Sequence, residues 1–96
     1  MVKLNQKEAY ELFKKEELLY LKFVRVDGEY RFTDCGFSGC SHKDLVNEGE
    51  TATSAGFVKI RGYKLNDLEC EGHSSTLKMS WQIGDEENLK KIFFPS

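Results

Sequence analysis

All three cysteines and both histidines fall in two short windows, Cys35-Cys40-His42 and Cys70-His73, and these are the residue types that ligate soft metals or attack as thiolates. Cys40 with His42, and Cys70 with His73, have the composition of a Cys₂His₂ tetrahedron, the donor set of a structural zinc site. Their spacing departs from the usual one. Zinc pairs come as Cys-x₂₋₄-Cys and His-x₃₋₅-His, whereas each half here mixes the two types and one arm is short. The simpler reading places Cys70 with Leu68 on a core face, as a small hydrophobe, and leaves the histidines in solvated loops. No cofactor is therefore expected, with zinc at Cys40, His42, Cys70 and His73 as the alternative.

The same residues allow a nucleophilic thiol, Cys35 or Cys40 with His42 as its base. Catalytic Cys and His generally meet from distant parts of a chain, however, and Cys40-Ser41-His42 is local. Cys35 and Cys40 could bridge, but an odd count of cysteines fits a reducing compartment better than a disulfide framework. Asp67, Glu69 and Glu71 alternate with Leu68 and Cys70, so all three carboxylates lie on one strand face. That pattern reads as the wet side of an antiparallel sheet, since no calcium-loop spacing accompanies it. Tyr30, Phe32 and Phe37 near Arg25 and Arg31 resemble a base-stacking platform, yet the hairpin register below turns Tyr30 and Phe32 toward the core. Gly36-Phe37-Ser38-Gly39 lacks the Lys-Ser/Thr pair of a phosphate loop, and no G-x-S-x-G, H-E-x-x-H or dinucleotide fingerprint occurs.

These residues need a scaffold. Ninety-six residues, 40% hydrophobic, make one domain over residues 1–96 that can bury a core without staples. Asn5 with Glu8 forms a capping box, and Ala9, Leu12, Phe13 and Glu16 then share one helical stripe, so a helix should run to Glu16 or Glu17. From Leu19 the period falls to two. Asp27-Gly28 supplies a type I′ turn between Leu19–Val26 and Glu29–Asp34, pairing Val26 with Glu29, Arg25 with Tyr30, and Phe23 with Phe32. Leu21, Phe23, Tyr30 and Phe32 then face the core, while Val24, Val26, Arg31 and Thr33 face outward. Ser41 and Asp44 should cap one helical turn through Leu45 and Val46, and Asn47–Ser54 reads as a mobile surface loop. Ala55–Ile60, Leu65–Cys70 and Thr76–Ile83 read as strands, the last with Leu77, Met79, Trp81 and Ile83 inward. Asp85 should then cap a final helix carrying Leu89, Ile92 and Phe93, ended by Pro95.

The fold expected is α+β: a curved antiparallel sheet of about five strands, open or partly closed into a barrel, flanked by an N-terminal and a C-terminal helix. A charge of −2 gives no field for polyanions, so nucleic acid is not an expected partner. No run reaches the ~20 apolar residues of a membrane span, and a cytoplasmic location is expected. The function expected is a non-catalytic protein-binding or regulatory module working through the Cys35–Ser54 region. Its partner would be another protein, or a second copy meeting it across an outer strip at Val24 and Val26. The rival is a small zinc- or thiol-dependent enzyme, or a zinc-stabilised domain, built on the two windows.

Overall fold

The structure is a computed structural model, and it describes residues 3–34, 41–62 and 67–95. Cys35, Cys40 and Phe37, the proposed Cys35–Cys40 bridge and the expected strand start at Leu65 lie outside those residues.

The capping box opens the first helix as its spacing predicts. In α1 (Gln6–Glu16) the Glu8 amide donates to Asn5 Oδ1 at 2.8 Å and the Asn5 amide donates to Glu8 Oε1 at 3.0 Å. Glu17 ends it in the left-handed region, its amide returning to the Phe13 carbonyl at 2.7 Å. The chain then reverses into β2 (Leu18–Val26), turns at Asp27 and Gly28, both at positive φ, and returns as β3 (Glu29–Thr33). The register is the expected one, with Val26 opposite Glu29, Arg25 opposite Tyr30 and Phe23 opposite Phe32.

β4 (Ala52–Arg61) pairs with the other side of β2, and β5 (Asp67–Glu71) pairs with β4. A fifth strand comes from the N-terminus, where β1 (Lys3–Leu4) lies against Thr33 and Phe32 of β3. The sheet is antiparallel in the order β1-β3-β2-β4-β5 and does not close into a barrel. Among the described residues β5 therefore remains an edge.

The expected strand Thr76–Ile83 is not formed. A short hairpin of β6 (His73–Ser74) and β7 (Met79–Ser80) takes its place, and α2 (Ile83–Phe93) starts where that strand should have ended. The alternation of Leu77, Met79 and Trp81 is real, but it serves two clusters. Leu77 and Met79 pack on one side of the sheet, Trp81 packs on the other, and Ile83 is 93% exposed. The helix is capped by Gln82, whose amide donates to Asp85 Oδ2 at 2.8 Å, so Asp85 is the third helical residue of a capping box rather than the cap.

Each face of the sheet has its own core. Both helices pack on Leu21, Phe23, Tyr30, Phe32, Val58 and Ile60 through Ala9, Phe13, Leu89 and Phe93. On the opposite face Val24, Val26, Ala52 and Ala55 are buried beneath Leu45 of a 3₁₀ turn (His42–Leu45), with Val46, Leu77 and Met79 around them. The outer strip at Val24 and Val26 is thus closed within the chain, at 0% and 1% exposure, and offers nothing to a second copy.

Asn47–Ser54 is likewise not a free loop. Arg31 grips Glu50 with both terminal nitrogens at 2.6 and 2.8 Å and donates to the Leu45 carbonyl at 3.0 Å. This bidentate pair holds the Glu50 carboxyl at about 2, chiefly through the Arg31 hydrogen bonds. β4 has begun by Ala52, which is buried along with Ser54. The Ser54 hydroxyl has no hydrogen-bond partner among the described residues. A buried donor without a partner is a standing cost, so Ser54→Ala should leave stability unchanged or raise it by up to about 1 kcal/mol. A loss above that size in chemical denaturation would mean the hydroxyl is bonded after all.

Candidate functional site

Among the described residues, the sheet face opposite the helices is covered only in part. Its upper part lies under the 3₁₀ turn and the β6–β7 hairpin. Further along the same strands the side chains of Leu18 and Tyr20 on β2, Phe57 and Lys59 on β4, and Glu69 on β5 face outward, with Leu18 and Tyr20 at 53% and 42% exposure.

Phe57 marks the boundary. Its ring stacks on Tyr20, with centroids 5.7 Å apart and planes at 22°, and takes the edge of the His42 ring at 5.1 Å and 88°. On a third side it fills the space left by Gly72. A Cβ there would come within 2.9 Å of the Phe57 ring, and Gly72 also sits at φ +71, so glycine is required twice over. Both chemical windows of the sequence therefore converge on Phe57, through His42 from one and Gly72 from the other.

Of the four residues expected as zinc ligands, the structure describes His42, Cys70 and His73, and it does not gather these three into one group. His42 is buried, and its Nε2 donates to the Gly56 carbonyl at 2.7 Å, a bond that fixes the turn against β4. Cys70 stands opposite Val58 and belongs to the helix-side core, on the other face of the sheet from His42. Burial pushes its thiol up to about 12, aided by Glu86 and Asp85, so it is a packing group rather than a nucleophile at neutral pH. His73 is exposed at the start of β6, and Cys40 lies outside the described residues. Among the described residues no group of three or more His, Cys, Asp or Glu side chains could hold a metal.

The acidic row is where alternation predicts it, but it does not stand alone. Lys59 lies opposite Glu69 and Arg61 opposite Asp67, and Arg61 donates to Asp67 at 2.7 Å. Lys59 Nζ lies 5.8 Å from the Tyr20 ring centroid. The Tyr20 hydroxyl is held above the usual phenol range by partial burial, then by the Glu71 carboxylate beside it. The face is thus two charged stripes, basic on β4 and acidic on β5, beside an aromatic pair. Sequence reasoning assigned no role to Tyr20 or Phe57. An aromatic at an outward strand position was the available signal.

A cleft of about 250 Å³ opens beside the Arg31 latch, lined by Lys3, Leu4, Glu8, Arg31 and Leu45. Its Glu8 and Arg31 are already bonded, to Asn5 and to Glu50, and it does not gather the convergent polar groups of a ligand site.

His42 gives the turn a pH dependence. Burial holds its pKa below the ordinary 6.5 against the opposing Gly56 bond, and the nearby Lys22 and His73 charges add smaller lowering effects. The unfolded chain then binds the extra proton first, so stability present above about pH 6.5 should fall as the pH is lowered. Thermal melts between about pH 7.5 and 5.5 should show this loss in the parent and a flatter profile in His42→Gln. Equal slopes in the two proteins would refute it.

No protein-family model, curated protein or solved structure matches the chain.

Proposed function

We propose that the protein is a non-catalytic protein-binding module, cytoplasmic and without a cofactor, whose working surface is the uncovered part of the sheet around Tyr20 and Phe57. One observation carries this reading: a stacked aromatic pair on an open strand face, beside exposed Leu18 and bordered by charged side chains. Binding surfaces favour this mixture, with an aromatic centre for area and a charged rim for orientation. The working surface moves from the Cys35–Ser54 region because the described part of that region is spent on the fold, through His42, Leu45 and the Arg31–Glu50 latch. The odd number of cysteines and the buried free thiol of Cys70 support a reducing compartment.

The test is a photoreactive phenylalanine analogue placed at Tyr20, compared in cells with the same group at exposed Lys7 on α1. A discrete protein adduct at position 20, absent at position 7 and weakened by Phe57→Ala, is expected. Equal or absent adducts at both positions would overturn the assignment of this face.

A further inference from the structure

The two stripes on this face are arranged so that they complement themselves. Lys59 and Arg61 on β4 and Lys22 beyond them on β2 carry three positive charges, and Asp67, Glu69 and Glu71 on β5 carry three negative ones, so the face is neutral overall but divided. A partner must therefore offer an acidic stripe beside a basic one, about one strand spacing apart, near 4.8 Å. Lys59 and Glu69 stand at one level along the strands, and Arg61 and Asp67 at the next.

We infer, resting on the binding role proposed for this face, that it docks on the same face of a second copy turned about a two-fold axis parallel to the strands and between β4 and β5. Such a rotation exchanges the two strands and keeps each level. Lys59 then meets Glu69 of the partner subunit, and Arg61, which is bonded to Asp67 of its own chain at 2.7 Å, also meets Asp67 of the partner subunit, with the reciprocal pairs formed by symmetry. A two-fold axis perpendicular to the strands would instead set the acidic stripe of one copy against that of the other. The same objection closes the free edge: antiparallel pairing of two β5 strands would oppose like carboxylates directly, which blocks a continuous sheet across the dimer. Face-to-face packing along the strands is the arrangement these charges select.

The contact covers the facing parts of β4 and β5 alone, because the rotation carries β2 past the edge of the partner's sheet; it falls short of the ~800 Å² per partner typical of a stable dimer, and the pairs are rim-exposed. The dimer is therefore weak, populated at protein concentrations on the order of 0.1–1 mM, and favoured by low salt.

Sedimentation velocity up to about 1 mM, in low and in moderate salt, tests it with a charge swap. The parent should associate with rising concentration, and less so in salt. Glu69→Lys alone and Lys59→Glu alone should each lower the association constant at least about tenfold, while an equimolar mixture of the two variants should regain it, because each supplies the charge the other lacks. Both substitutions sit on the surface, and unchanged melting temperatures would show that the variants fold. A parent monomeric at the highest concentration, single variants that associate like the parent, or a mixture no better than its parts would each overturn the second copy as the occupant. If the parent is monomeric while the adduct at position 20 forms with a different protein, the binding face stands and only the self-docking falls. If both fail, the functional reading fails with it.

Discussion

Phe93→Ala should cost about 3–5 kcal/mol, the usual range for truncating a buried phenylalanine. Phe93 is 2% exposed near the end of α2 and meets Phe13 of α1 at 5.8 Å and Phe32 of β3 at 5.6 Å, both edge to face. A single ring thus joins both helices to the sheet. Its neighbours are themselves large rings held in place by strand pairing and by α1, so the gap left by alanine cannot readily collapse. A chain of this length has a total stability on the order of 5–15 kcal/mol, and the loss would take a large share of it. Urea denaturation should show the midpoint falling steeply for Phe93→Ala and hardly moving for Ile83→Ala, whose side chain is 93% exposed on the same helix. A shift below about 1 kcal/mol for Phe93→Ala would mean that α2 is not docked as described.

Local signals carried the parts of this fold that local chemistry decides. Asn5 with Glu8, Asp27 with Gly28, and Ser41 with Asp44 each act over three residues or fewer, and each is found where its spacing puts it, Ser41 donating its amide to Asp44 at 2.7 Å. The hairpin register follows from the turn, and the Leu89 and Phe93 stripe follows from helical period. What alternation could not decide was which layer an apolar residue joins. Leu77, Met79 and Trp81 have the rhythm of one strand, yet the chain turns through Lys78 at φ 55 and delivers them to opposite sides of the sheet. β1 was hidden for a different reason. Two residues have no period, and their partners lie some thirty positions away, so only tertiary packing creates the strand.

The candidate site was legible in halves. The two Cys/His windows do approach each other, but across the Phe57 ring, and strand alternation sends Cys70 to the far face. A carboxylate row on one strand face was readable from the sequence. Its basic complement on β4 was not, because Lys59 and Arg61 acquire partners only through the β4–β5 register.

Asp85→Ala should cost about 3 kcal/mol through one buried hydrogen-bonded group rather than through lost packing. Asp85 is 1% exposed, and its two oxygens take the Tyr30 hydroxyl at 2.6 Å and the Gln82 amide at 2.8 Å. Tyr30 receives a second bond from Asn88 at 3.3 Å, and its own amide donates to Gln6 at 2.8 Å, so this one tyrosine links β3 to both helices. Removing the carboxylate strands a buried hydroxyl, a penalty of about 1–3 kcal/mol, and uncaps α2, worth about 1 kcal/mol more. Tyr30→Phe leaves the carboxylate short of its strongest donor and should cost about 1.5–3 kcal/mol. The double variant Tyr30→Phe/Asp85→Ala removes both partners and with them the stranded group, so its loss should fall short of the sum of the singles by at least about 1 kcal/mol. Additive losses would separate the two residues energetically and leave the 2.6 Å contact without a role. The same network sets an alkaline limit. Burial first, and Asp85 next, push the Tyr30 hydroxyl up to about 12, so the unfolded chain loses this proton near pH 10 while the folded one keeps it. Stability present below about pH 10 is therefore lost as the pH rises toward 12, and in Tyr30→Phe that part of the decline should vanish.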